Sequence, residues 1–114
     1  MKTFKHLLII LIFSLGGCEK SDIKKDYNNC IEDHIKSLRN NSICDDPYID
    51  EYKFQDKRVY VVSQGTCGAD MTAAVLDQNC NSLGALGGIY GNTTINGDDF
   101  CNAEFIKRIW EKIY

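Results

Sequence analysis

Apolar residues along this chain fall into a small number of registers, and each register predicts an element. Ile31, Ile35 and Leu38 stand at i, i+4 and i+7, the stripe of a helix that Asn28 or Asn29 caps and Asn40-Asn41-Ser42 ends. Tyr52 and Phe54 then alternate with charged residues, Gln55-Asp56-Lys57 makes a short polar break, and Arg58-Val59-Tyr60-Val61-Val62 resumes the β pattern. Aromatic and β-branched residues on both sides of a tight break read as a hairpin. Val59 and Val61 share one face of its second strand and Tyr60 and Val62 the other, which predicts a strand covered on both sides. Thr72 to Leu76 reads as a third strand, stopped by Asp77-Gln78-Asn79. Phe105, Ile106, Ile109, Trp110 and Ile113 return to helical spacing, with Lys107, Arg108, Glu111 and Lys112 opposite and Asp99 or Asn102 as cap. The predicted fold class is α+β: a small antiparallel sheet, a hairpin plus short strands, flanked by an N-terminal and a C-terminal helix and stapled by disulfides.

Between these elements lie two loops. Gln64 to Asp70 is the first. The second begins where five of the seven glycines beyond residue 17 crowd together, at Gly84, Gly87, Gly88, Gly91 and Gly97. No helix tolerates that density, and strands through it are short or bulged. The excursion from Gly84 to Cys101 is therefore the expected recognition loop, with Ile89 and Tyr90 as anchors and Asn92 and Asp98 beside them. The competing reading puts Ile89 and Tyr90 in a short buried strand.

The N-terminus carries an address. Lys2 and Lys5 precede an apolar run from Leu7 to Leu15, and Leu15-Gly16-Gly17 leads into Cys18. This is the layout of a secretory signal, and the apolar run is about half the ~20 residues that span a bilayer. A cysteine just after two small residues resembles the bacterial lipoprotein box, in which that cysteine is lipidated and becomes the first mature residue. The alternative is ordinary secretory cleavage. The expected organisation is a signal peptide at 1–17, a lipidated Cys18 with a polar tether to residue 27, and one small domain at 28–114. The whole chain has 13 basic and 16 acidic residues, and loss of Lys2 and Lys5 leaves 11 against 16, a net charge of −5. That balance argues against nucleic acid as a partner and leaves the lipid as the means of membrane attachment.

Six cysteines fit an oxidising compartment, and with Cys18 lipidated five remain, an odd number. Cys30 opens a helix of about eleven residues, ~16 Å long, which keeps it from Cys44 beyond the far end. Cys67 and Cys80 flank the third strand. The expected bridges therefore join Cys30, Cys67, Cys80 and Cys101 over long range, with Cys44 left over and the pairing open.

Catalytic and metal chemistry find little support. No pair of cysteines has metal-knuckle or Cys-x-x-Cys spacing, and His34 is the only histidine beyond the signal, placed beside the apolar Ile35. Asp45-Asp46 and Asp98-Asp99 are neighbours in sequence, the pattern of solvated loop charge. Asn92, Thr94, Asn96 and Asp98 alternate as the oxygen ligands of a calcium loop do, with Gly97 sixth, but the twelfth position is Ala103 where a bidentate Glu is required. A plain asparagine-rich turn is favoured over a metal. No cofactor is expected.

Taken in order, Cys30-Ile31 with Ile35, Tyr52-Lys53-Phe54, Val59-Tyr60-Val61-Val62, Cys67 with Asp70 and Leu76-Asp77-Gln78-Asn79-Cys80 resemble a family of small bacterial lipoproteins. Gly87-Gly88-Ile89-Tyr90-Gly91, Gly97-Asp98, Cys101 and Ile109-Trp110 complete the match. The family is common in the Bacteroidetes group and is classed as a domain of unknown function. Gly84 and Leu86 stand where a second cysteine and a proline are expected, and Cys44 is extra. The resemblance implies the fold and a lipid-anchored place in the cell envelope, on the outer membrane and facing the periplasm or the surface. It implies no activity. The expected function is a non-enzymatic binding module, inhibitor- or immunity-like, with a protein partner in the periplasm or outside the cell. The alternative is a small thiol-dependent envelope enzyme or redox protein using the unpaired cysteine.

Overall fold

The computed structural model describes residues 27–113, so the signal at 1–17 and the lipidation site Cys18 lie outside the described residues. Helix α1 (Asn29–Asn41) buries Ile31, Ile35 and Leu38, the stripe expected from their spacing. Asn28 sits at the N-cap but makes no capping bond with its side chain. Its amide instead donates to Gln78 O at 2.7 Å and Asn79 Oδ1 at 3.3 Å, tying the helix start to a turn of the sheet.

Strands β1 (Tyr48–Phe54), β2 (Lys57–Ser63), β3 (Thr72–Asp77) and β4 (Ser82–Gly87) form a meander, and β7 (Glu104–Glu111) pairs outside β1. The result is one antiparallel sheet of five strands in the order β4-β3-β2-β1-β7. Between β4 and β7 the chain makes a two-stranded hairpin, β5 (Thr94–Ile95) with β6 (Asp98–Asp99), and a short 3-10 turn at Phe100–Asn102.

The expected C-terminal helix is a strand. Its register against β1 explains the helical spacing: Tyr52 pairs with Phe105, Glu51 with Lys107, Asp50 with Arg108 and Ile49 with Trp110. Ile106 and Ile109 are skipped, one at each of two bulges. Residues facing α1 therefore recur every third position (Glu104, Lys107, Trp110), as do those facing away (Phe105, Arg108, Glu111). A strand with a period of three imitates a helix, while its isoleucines and aromatics favour the pleated surface. Trp110 consequently packs toward α1 with Ile109, with Arg39 5.8 Å from its ring, and Phe105 lies on the opposite face against Tyr52.

Two cores result, one on each face of the sheet. On one side α1 covers Ile49 and Tyr60, with Val62, Ile109 and Trp110 packed around them. On the other, Phe54, Val59, Val61, Val75 and Ile95 are buried together, with Phe100 packed against them. The strand containing Val59 to Val62 is thus covered on both faces, as its residues require. The second cover is the excursion after β4, which does build core: Ile95 is 1 % exposed, and the Phe100 ring lies 4.9 Å from Phe54 and 5.1 Å from Tyr52.

The bridges are Cys30–Cys80 and Cys44–Cys67. Cys101 is exposed and unbonded, which corrects the expected set. Cys30 and Cys44 do not pair, since they lie at opposite ends of α1. Cys44 turns in beneath the loop after β2, where it is 3 % exposed, its Cα 5.5 Å from that of Cys67. Both ends of the helix are thereby fixed covalently to the sheet. Buried charge is paired as well: Arg108 grips Asp50 with Nε and Nη2 at 2.7 and 3.2 Å, and Arg58 Nε lies 3.0 Å from Glu51. Asp50 and Glu111 hold the Arg108 guanidinium firmly in its charged form.

Candidate functional site

The registers sort the loops into two ends. The β1–β2 turn, the β3–β4 turn and the start of β7 share the end where α1 begins, tied there by Cys30–Cys80. The loop after α1, the loop after β2, the turn after β4 and the end of β7 share the opposite, distal end.

The distal turn is built by glycine. Gly87 and Asn92 exchange two backbone hydrogen bonds at 2.8 and 3.0 Å, Gly91 N donates to Gly88 O at 3.1 Å, and Gly88 N reaches Met71 O at 3.2 Å. Gly88 and Gly91 take φ of 85° and 63°, which let the chain reverse in four residues. Ile89 and Tyr90 are left at its apex, 76 % and 96 % exposed. They do not form a buried strand. Asn92 is a splint rather than a contact residue: its amide donates to Ala85 O at 2.7 Å and Thr94 O at 2.9 Å.

The expected recognition loop is therefore not one surface. Asn96 lies at the tip of the β5–β6 hairpin, where its amide meets Gln55 from the β1–β2 turn at 3.0 Å, at the opposite end from Tyr90. Asp98 accepts from Asp99 N at 2.8 Å and Asn102 Nδ2 at 2.9 Å and holds the 3-10 turn. The calcium reading loses its loop for the same reason. Asn96-Gly97 is a two-residue hairpin turn with φ of 53° and 81°, so Thr94 and Asp98 belong to paired strands and Asn92 and Asn96 are committed to other partners. Among the described residues no group of three or more His, Cys, Asp or Glu is placed to hold a metal.

Beside the distal turn, the Gln64–Asp70 loop is clamped by Cys44–Cys67 and by Asp46, whose carboxylate accepts from Thr66 N at 3.0 Å and from its hydroxyl. Those bonds hold the Asp46 carboxyl below its ordinary value. At Gly65, with φ of 121°, any Cβ would collide with Asp46 and Cys44. Ile43, 76 % exposed, lies against this loop through its N–H to Gln64 Oε1 at 3.3 Å. Nothing in its sequence setting marked it out.

Cys101 is the exposed thiol, and Asp99 pushes its pKa up, first by a hydrogen bond and then by charge. The sheet separates it from His34 on α1, so no thiol–imidazole pair forms.

The other end holds a groove that sequence reasoning missed. It lies between the β1–β2 turn, the β3–β4 turn and Asn96, encloses about 610 Å³, and is walled by Gln55, Lys57, Asp77 and Gln78 over Leu83. Its residues are dispersed in the chain, and their only early signal is that Gln55 and Asp56 fill a tight turn normally given to Asn-Gly, at φ of 53° and 62°. No helix among the described residues is long and apolar enough to cross a membrane.

No curated protein matches this chain, and no solved structure does. Residues 36–112 match a family described as a domain of unknown function (DUF6970), from the middle of α1 through the end of β7, and the chain belongs to that family.

Proposed function

We propose that this is a lipid-anchored envelope protein of the Bacteroidetes lipoprotein kind whose domain is a non-enzymatic interaction module, inhibitor- or immunity-like, that contacts a protein partner through the Ile89–Tyr90 turn. The observation that carries the reading is an exposed aliphatic and an exposed aromatic residue at the apex of a splinted turn. Rigid aromatic anchors contribute strongly to binding because little freedom is lost on contact. The turn also stands at the end of the sheet opposite the start of α1, the side a partner reaches when the chain before α1 leads to a membrane. The acidic balance and the missing thiol–imidazole pair count against nucleic acid and against the thiol-dependent alternative, which rests on Cys101.

Two experiments test it. Cys18→Ala should release the protein from the membrane fraction, and wild-type protein found wholly in the soluble fraction overturns the anchor. Tyr90→Ser should melt with wild type yet lose partners captured from envelope extracts. Unchanged capture removes the turn as the site.

A further inference from the structure

The groove at the proximal end is a second site, independent of the distal turn. Its charges are of both signs, Asp56 and Asp77 with Lys57, while Arg58 is held by Glu51, so no cluster of one sign forms in it. Four side-chain amides, those of Gln55, Gln78, Asn79 and Asn96, line it and offer donors and acceptors together. Two of them are set in advance. Gln55 Nε2 donates to Asn96 O at 3.4 Å and Asn96 Nδ2 donates to Gln55 Oε1 at 3.0 Å, leaving one N–H on each amide and the Asn96 Oδ1 unused by the clasp. Asp77 is held below the ordinary carboxylate value, chiefly by hydrogen bonds from Asn81, and its two oxygens brace the β3–β4 turn by accepting from Asn79 N, Asn81 N and Asn81 Nδ2. Beneath this polar wall Leu83 supplies an apolar floor.

Fixed amides and mixed charge over an apolar strip fit a ligand with many hydroxyls, no net charge and a C–H face. We propose that this groove binds a neutral oligosaccharide. About 610 Å³ accommodates two or three sugar rings, within the ~300–1,000 Å³ range of small-molecule sites.

The test is a titration of the full-length protein with neutral hexasaccharides of glucose, mannose and N-acetylglucosamine, followed through the backbone and side-chain amide resonances in ¹H–¹⁵N spectra. At least one should shift Gln55 and Asn96 saturably and leave Ile89 and Tyr90 in place. Gln55→Ala should weaken that binding about tenfold, the loss of one well-placed hydrogen bond. Asp56→Gly should melt no lower than wild type, since glycine suits its φ, and still bind more weakly. Absence of shifts with all three sugars overturns the proposal, as does tighter binding of a sulfated hexasaccharide or a shift map centred on Ile89 and Tyr90.

Discussion

The two faces of the sheet each carry a buried core, covered by opposite means. One is covered by a regular helix, riveted at Cys30 and Cys44 and packed through three residues of a single stripe. The other is covered by a strand-poor excursion in which one aliphatic side chain, Ile95, and one ring, Phe100, reach the core while asparagine amides hold the backbone. Regular structure satisfies its own backbone, so it needs few side-chain bonds. An irregular cover must be satisfied group by group. That requirement is why the excursion is rich in Asn, Asp and Gly although it builds core.

The comparison breaks most visibly at the bridges. Removing Cys30–Cys80, with its separation of 50 residues, should cost about 4 kcal/mol from loop closure, against roughly 3 kcal/mol for the 23-residue Cys44–Cys67 loop. Urea unfolding of the two double-serine variants checks both, and a larger loss for the shorter loop would show that native contacts, not chain entropy, set the order. Next come the matched core truncations. Ile31→Ala under the helix and Ile95→Ala under the excursion should each lose about 2–5 kcal/mol. If Ile95→Ala loses less than ~1 kcal/mol, the excursion rests on the sheet without being part of its core. Asp56→Gly should gain about 1 kcal/mol by relieving a left-handed turn position, measured as a higher melting temperature. The smallest effect is chemical. Asp99 raises the Cys101 thiol above its ordinary value, so at about pH 8 it should alkylate more slowly than free cysteine, and Asp99→Asn should speed it. The sign is that of a raised acid: the thiol–Asp99 contact favours the folded state below the ordinary thiol value and is lost as pH rises through the higher folded value.

The same contrast governs what could be read from the chain. Helix α1 and the first hairpin were legible because Ile31, Ile35 and Leu38, and then Val59 to Val62, keep the periods of regular elements. Strand β7 was not, because skipping Ile106 and Ile109 gives each face a period of three. The disulfides escaped because Cys44 is set by how the chain turns after the helix, which no spacing records. The exposed pair Ile89 and Tyr90 was visible from its glycine frame, whereas the groove depends on Gln55 meeting Asn96 across 41 residues.

Cys30–Cys80 has a mechanical consequence. A pull applied between the N-terminal segment and the Ile89–Tyr90 turn enters through that bridge and leaves nine residues later, along β4. Six of those residues, Ser82–Gly87, are already strand, so that part of the path has little slack to give. The load is therefore carried by covalent bonds. The helix beyond Cys30 and the other four strands of the sheet lie outside its path. Pulled in this direction, the molecule should hold under tension that would unravel a domain of the same stability pulled from its two termini.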